Sequence, residues 1–200
     1  MASARLKAGI LALLAAGCGG GSSGTPVVTS ATQKADAAVA PAPAPKAEVT
    51  LTDARADALV GAVKGYTDKV VVVDFWATWC APCVKKFPHL VELHKKHAAK
   101  GLVCVSVDMD KLGGGTYDRE KALGFLTKQG AAFPNFAMTD PDAKADDAAL
   151  EKAFGEDFRL LPYLVIFDRG GRPAWNSAAR ENLDATPAQV EAKVVELLAK

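Results

Sequence analysis

Asp74-Phe75-Trp76-Ala77-Thr78-Trp79-Cys80-Ala81-Pro82-Cys83 decides how this chain folds. The first residues of this stretch close an apolar, β-branched run, Lys69 to Ala77, interrupted only by Asp74. Such a run predicts a strand buried on both faces, as in the middle of a mainly parallel sheet. A helix is expected from about Ala81 to Lys100, ended by Gly101. Two cysteines two residues apart therefore open a helix straight after a buried strand. A helix start presents unpaired backbone N–H groups and the positive end of the dipole. Both stabilise a thiolate, so Cys80 is expected to ionise easily and act as the nucleophile. The short gap brings the Cys83 sulfur close enough to resolve a mixed disulfide. Pro82 pre-sets φ in the first turn and gives up no needed donor.

Working outward, Leu102 to Val107 reads as a second buried strand and Tyr163 to Asp168 as a third. Asp53 to Lys64 reads as a helix ended by Gly65, with Ala58, Leu59 and Val63 at helical spacing. Arg119 to Gln129 and Ala145 to Phe154 are further helices, with a short strand, Asn135 to Thr139, between them. Arg169-Gly170-Gly171-Arg172 is a turn, after which Pro173 to Ser177 pairs back as a hairpin. Pro187 to Leu198 is an amphipathic closing helix, with Thr186 as its N-cap. Strands alternating with helices, then a hairpin and a last helix, give an α/β fold.

Trp-Cys-x-Pro-Cys preceded by Asp-Phe-Trp-Ala resembles the thioredoxin superfamily, and the resemblance extends over most of residues 49–200. It implies a thioredoxin fold: a central mixed β-sheet flanked by helices. The long stretch between the Leu102–Val107 strand and Pro162 exceeds a plain thioredoxin and holds an added helix-and-strand unit. With the export-type segment described below, the chain looks like the TlpA/ResA-like membrane-anchored group. Members of that group reduce specific substrates outside the cytoplasm, often in cytochrome c maturation. The region before Lys69 departs from that group, because it lacks the usual N-terminal hairpin with its Gly-Lys.

The resemblance also assigns roles. Asp74 matches the family's buried carboxylate; burial raises the pKa of such a group, and it would relay a proton to or from Cys83, through water. Leu161-Pro162 matches the family's cis-proline loop, which lies against the cysteine pair. Leu161 stands where plain thioredoxins have Thr or Ile. Trp79, Ala81 and Pro82, with Leu161 and Pro162, are the expected contacts for a bound polypeptide. Pro88 sits at the family's offset from the second cysteine and is expected to kink its helix. The implied partners are a disulfide-bearing protein substrate and a membrane thiol carrier as electron donor, with the protein a monomer. No metal or organic cofactor is implied. Two other readings stay open: a thioredoxin-fold peroxidase, and a non-enzymatic thiol chaperone or adaptor.

At the other end of the chain, Arg5 and Lys7 precede an apolar stretch, Ala8 to Ala16. That is the layout of an export signal, and it is shorter than the about 20 residues a bilayer span needs. Leu14-Ala15-Ala16-Gly17-Cys18 resembles a bacterial lipobox, which would make Cys18 the lipidated residue and anchor the protein by acyl chains. Ala15 stands where the lipobox prefers Leu. Residues 19–48 are rich in Gly, Ser, Thr, Ala and Pro; they cannot bury a core and read as a disordered linker, semi-rigid through Ala40 to Pro45. The expected organisation is thus a signal and lipobox over 1–18, a linker over 19–48 and a domain over 49–200.

The remaining features are expected to be structural. A formal net charge of +1, with both signs interspersed, gives no reason to expect a nucleic-acid partner. Four cysteines are too few for a disulfide scaffold at this length. On one helix, Cys83 and His94 lie about 16 Å apart and cannot share an ion. His89, His94 and His97 therefore read as a helix surface. Cys104, in an apolar strand, reads as a buried inert thiol. Gly113-Gly114-Gly115 lacks the Lys-Ser/Thr of a phosphate loop and reads as a flexible surface loop.

Overall fold

The computed structural model describes residues 48–200. The expected signal segment with Cys18, and all of the expected linker but Glu48, lie outside the described residues. Six strands and five α-helices follow in the order β1 (Thr52–Ala54), α1 (Ala56–Lys64), β2 (Val70–Trp76), α2 (Ala81–His97), β3 (Leu102–Asp108), α3 (Arg119–Gln129), β4 (Asn135–Met138), α4 (Lys144–Phe154), β5 (Tyr163–Phe167), β6 (Pro173–Asn176) and α5 (Pro187–Leu198). No helix among the described residues is long and apolar enough to cross a membrane.

The strands form one mixed sheet in the order β1-β4-β3-β2-β5-β6. β2 is central and fully buried. It runs parallel to β3 and antiparallel to β5. Successive side chains of a strand point to opposite faces, and that period splits the core in two. Val70, Val72 and Trp76 of β2 pack with Phe87, Leu90 and Val91 of α2 and with Val194 and Leu197 of α5. Val71, Val73 and Phe75 face the other way, against Leu59 of α1 and Leu150 and Phe154 of α4. Asp74 shares its parity with Val72 and Trp76, so it faces the α2 side. Burying the large aliphatic and aromatic side chains of each face stabilises the layered arrangement by roughly 1.5–3 kcal/mol per side chain before entropy is counted.

The expected added unit lies between β3 and Pro162: α3, β4 and α4, with β4 placed between β1 and β3. α5 begins as expected, with Thr186 and Gln189 forming a reciprocal capping box. α2 continues as one helix through Pro88.

Three expectations are corrected. Thr52–Ala54 is an edge strand parallel to β4, not the start of a helix, which begins only at Ala56. Three residues are too few to display strand periodicity, and the start of α1 is fixed from afar: buried Asp146 of α4 accepts from the Ala56 N–H and from the Arg55 guanidinium. His97 is not on the surface. It is buried under α5, with Nε2 2.9 Å from Glu191 Oε1, while His89 is exposed and His94 packs edge-on against Phe133. Gly113 to Gly115 belong to a defined turn rather than a loose loop. Leu112–Gly114 is a 3₁₀ turn, Gly113 has a φ of +66°, and a Cβ on Gly115 would stand 2.0 Å from the Asp110 carbonyl oxygen. Only glycine fits there.

Candidate active site

Cys80 is the N-cap residue of α2, with an extended φ of −86° and ψ of 91°, and Cys83 lies in its first turn. The two sulfurs are joined in a disulfide, with the Cα atoms 5.3 Å apart. The Cys80 N–H donates to the Ala77 carbonyl, and its own carbonyl accepts from Val84 N–H. The first turn of α2 carries no acidic residue, and the last turn carries His94, Lys95, Lys96 and His97. No acidic side chain in the first turn offsets the positive N-terminal end, so a thiolate at Cys80 is favoured there. Trp79, Ala81 and Pro82 are exposed around the pair, and Leu161 and Pro162 are half-buried. The Leu161–Pro162 peptide is cis, as the resemblance implies.

Two acids that the sequence reading passed over fasten the approach to Cys80. Asp110 accepts from the Thr78 N–H at 2.6 Å and from the Thr78 hydroxyl at 2.8 Å, and its carbonyl accepts from the Trp79 indole N–H at 3.2 Å. Its own N–H donates to Asp108 Oδ1 at 2.7 Å. Both acids are buried. Burial first, and the adjacent Asp110 charge second, push the Asp108 carboxyl up to about 7. Asp108 Oδ2 and the Trp76 indole N–H are buried without a partner among the described residues, and the two residues are register partners across β2 and β3. The available signal was a pair of acids, spaced by one residue, closing an otherwise apolar strand.

Asp74 is placed differently. Among the described residues no group donates a hydrogen bond to its carboxyl. Burial pushes it up to about 7, opposed by the positive charge of Lys86. A cavity of about 310 Å³ opens beside it, and Asp74, Cys83, Lys86, His89, Pro162 and Trp175 are among its lining residues. The structure thus brings Asp74, Cys83 and Pro162 to one space, and the disulfide joins Cys80 to it. Cys104, on β3, is fully buried; burial, then the Asp74 charge, raise its thiol far above its usual range, and it is inert at neutral pH. Among the described residues no three His, Cys, Asp or Glu side chains group to hold a metal ion.

A joined Cys-x-x-Cys pair at a helix start beside a cis-proline, on a mixed sheet of this order, defines a thioredoxin-fold protein. A thioredoxin-family thiol:disulfide interchange protein from Chlorobium tepidum TLS superposes with a TM-score of 0.51 at 19% identity, covering 68% of this chain and 83% of that one, which supports the fold. The Redoxin family model matches residues 37–192, and the chain belongs to that family. Thiol-disulfide oxidoreductase ResA of Bacillus subtilis (strain 168) is 30% identical over 80 residues, 40% of each chain. ResA of Bacillus cereus (strain ATCC 10987 / NRS 248) is 39% identical over 49 residues, 24% of this chain and 28% of that one. The matched segments therefore span well under half the length of these curated relatives.

Proposed function

We propose that this chain is a thiol–disulfide oxidoreductase acting outside the cytoplasm, as a reductant of disulfide-bearing proteins. The observation that carries the reading is the Cys80–Cys83 disulfide at the N-terminus of α2, with Pro162 and Asp74 at the cavity that reaches Cys83. In the reduced protein the Cys80 thiolate attacks one sulfur of a substrate disulfide. The other substrate sulfur leaves as a thiolate and a mixed disulfide forms. Asp74 takes the proton from the Cys83 thiol, directly or through a water in the cavity, and the Cys83 thiolate then attacks the Cys80 sulfur. The second substrate thiol is released and the Cys80–Cys83 disulfide closes. Two electrons have passed from the dithiol to the substrate, and a membrane thiol carrier restores the pair. Trp79, Ala81 and Pro82 border Cys80, and Leu161 and Pro162 contact the bound polypeptide.

The likeness to ResA supports placing the domain outside the cytoplasm, and cytochrome c maturation is the setting in which such reduction is needed. Residues 1–18 would export the chain and lipidate Cys18, and residues 19–48 would hold domain 49–200 off the membrane. The reduction potential of Cys80–Cys83 tests the direction. A value near thioredoxin's about −270 mV supports a reductant, and one near −120 mV reverses the direction. Cys80→Ser should reduce insulin-disulfide reduction to background. Peroxide-dependent turnover without a disulfide substrate, or a cellular role that survives Cys80→Ser, would replace this reading with a peroxidase or an adaptor.

A further inference from the structure

α2 presents a stripe to the cavity beside the disulfide. Cys83, Lys86, Leu90 and Leu93 recur at intervals of three or four residues and all line that space; side chains at this spacing share one helix face. Packing alone would fill such a stripe with apolar side chains. Here the residue one turn after Cys83 is a lysine. Lys86 makes no ion pair with any described acid within 4.0 Å, whereas Lys96, on the same helix, is paired with Glu191. Asp74, whose carboxyl has no hydrogen-bond donor among the described residues, lines the same cavity.

The other groups around Asp74 are soon named. From α2 come Cys83, Lys86 and His89. From β3 come Ser106, its register partner, and Cys104, whose thiol stays protonated. β5 contributes Leu164, the segment after β6 contributes Ser177 and Asn182, and α5 contributes Pro187 and Val190, none of them ionisable. Lys86 and exposed His89 are therefore the basic side chains that line this cavity with Asp74. Two unit charges separated by a partly wet cavity still interact appreciably, since the effective dielectric there is well below that of bulk water.

We infer that Lys86 is a positioning residue for the exchange reaction: its ammonium, at the cavity it shares with Asp74 and Cys83, holds Asp74 ionised so that the carboxylate can accept the proton of the Cys83 thiol. The lysine keeps its own protons throughout; the proton leaves Cys83 Sγ and ends on Asp74. The inference rests on the role proposed for Asp74 above, and it assigns the tuning of that role to one side chain whose neighbour, Lys85, is exposed and does not line the cavity.

The test follows the Asp74 carboxyl directly, by its infrared C=O band or its side-chain ¹³C shift, across pH in the oxidised full chain. Lys86→Gln should raise the titration midpoint by roughly half a unit to one unit. Lys86→Arg should leave it in place, and Lys85→Gln should not move it. In the reduced protein the acid limb of the pH–rate profile for insulin-disulfide reduction should move up with Lys86→Gln and stay put with Lys86→Arg. Lys86 is exposed, so these variants should keep the fold. Coincident Asp74 titrations in wild type and Lys86→Gln, or an equal shift from Lys85→Gln, would overturn the inference. An Asp74→Asn profile that matches wild type would instead remove Asp74 from the mechanism, and the carboxyl titration keeps the two failures apart.

Discussion

Asp74 and Asp108 are two buried carboxyls on adjacent strands, facing the same side of the sheet, and both are pushed up to about 7 mainly by burial. Their surroundings differ. Asp74 opens on a cavity shared with Cys83 and receives no protein hydrogen bond among the described residues. Asp108 is closed in at the end of β3, where one oxygen holds the Asp110 N–H and Asp110 holds the Thr78–Trp79 turn. A raised pKa therefore does not by itself mark a proton relay. Access to a reacting group distinguishes Asp74, and a chain of hydrogen bonds to the backbone before Cys80 distinguishes the Asp108–Asp110 pair.

Removing the fastening should have the largest effect. Asp110→Ala deletes the acceptor of both Thr78 bonds and leaves a half-buried N–H and hydroxyl unmatched. Hydrogen bonds to a charged group contribute about 1.5–3 kcal/mol, so a loss of about 2–4 kcal/mol is expected, or a fall of roughly 5–10 °C in Tm. Thermal unfolding of the oxidised protein measures it. A fall of under one degree would show that the turn is held by other means.

Asp74→Asn should act next, and its sign follows from linkage. The folded carboxyl titrates near 7 and the unfolded one near 3.8. Between those values the folded state binds more protons, so stability contributed by this site is full below about pH 4 and is lost as pH rises through 7. Asparagine removes the loss. The variant should match wild type near pH 4 and exceed it at pH 8, by denaturant unfolding of the oxidised protein. Exchange near neutral pH should meanwhile slow about tenfold or more, because a general base has been deleted. Gained stability with unchanged turnover would make Asp74 a structural acid.

Much of this comparison was legible in the sequence on one side only. Asp74 stood out because it interrupts a run of Val and Phe, and a lone charge in such a run needs a reason. Cys80, Cys83 and Pro162 carried local signals of their own, the two-residue gap and the proline before a strand. The β2, β3 and β5 strands and the α2, α3 and α5 helices were also readable, since each carries a full period of pattern. Asp108 and Asp110 were not, because their meaning comes from Thr78, thirty-two positions away from Asp110 in the chain, and no local pattern encodes that meeting. The same holds for Thr52–Ala54, whose strand exists through its pairing with β4, and for His97, whose burial depends on α5 closing over it. Lys86 looked like any surface lysine until the structure placed it at the cavity that Asp74 also lines.

Asp108→Asn should give the smallest change and the sharpest contrast. Asparagine keeps an oxygen to accept the Asp110 N–H, so the turn stays fastened, while a buried charge beside Asp110 disappears. By the same sign argument, stability should equal wild type near pH 4 and exceed it at alkaline pH, where the folded carboxyl would have been ionised. The pH–rate profile for disulfide reduction should not move, since Asp108 does not line the cavity at Cys83. A profile displaced as far as that of Asp74→Asn would mean that protons reach Cys83 from the β3 side as well, and the division between an open carboxyl that reacts and a closed one that holds the loop would fail.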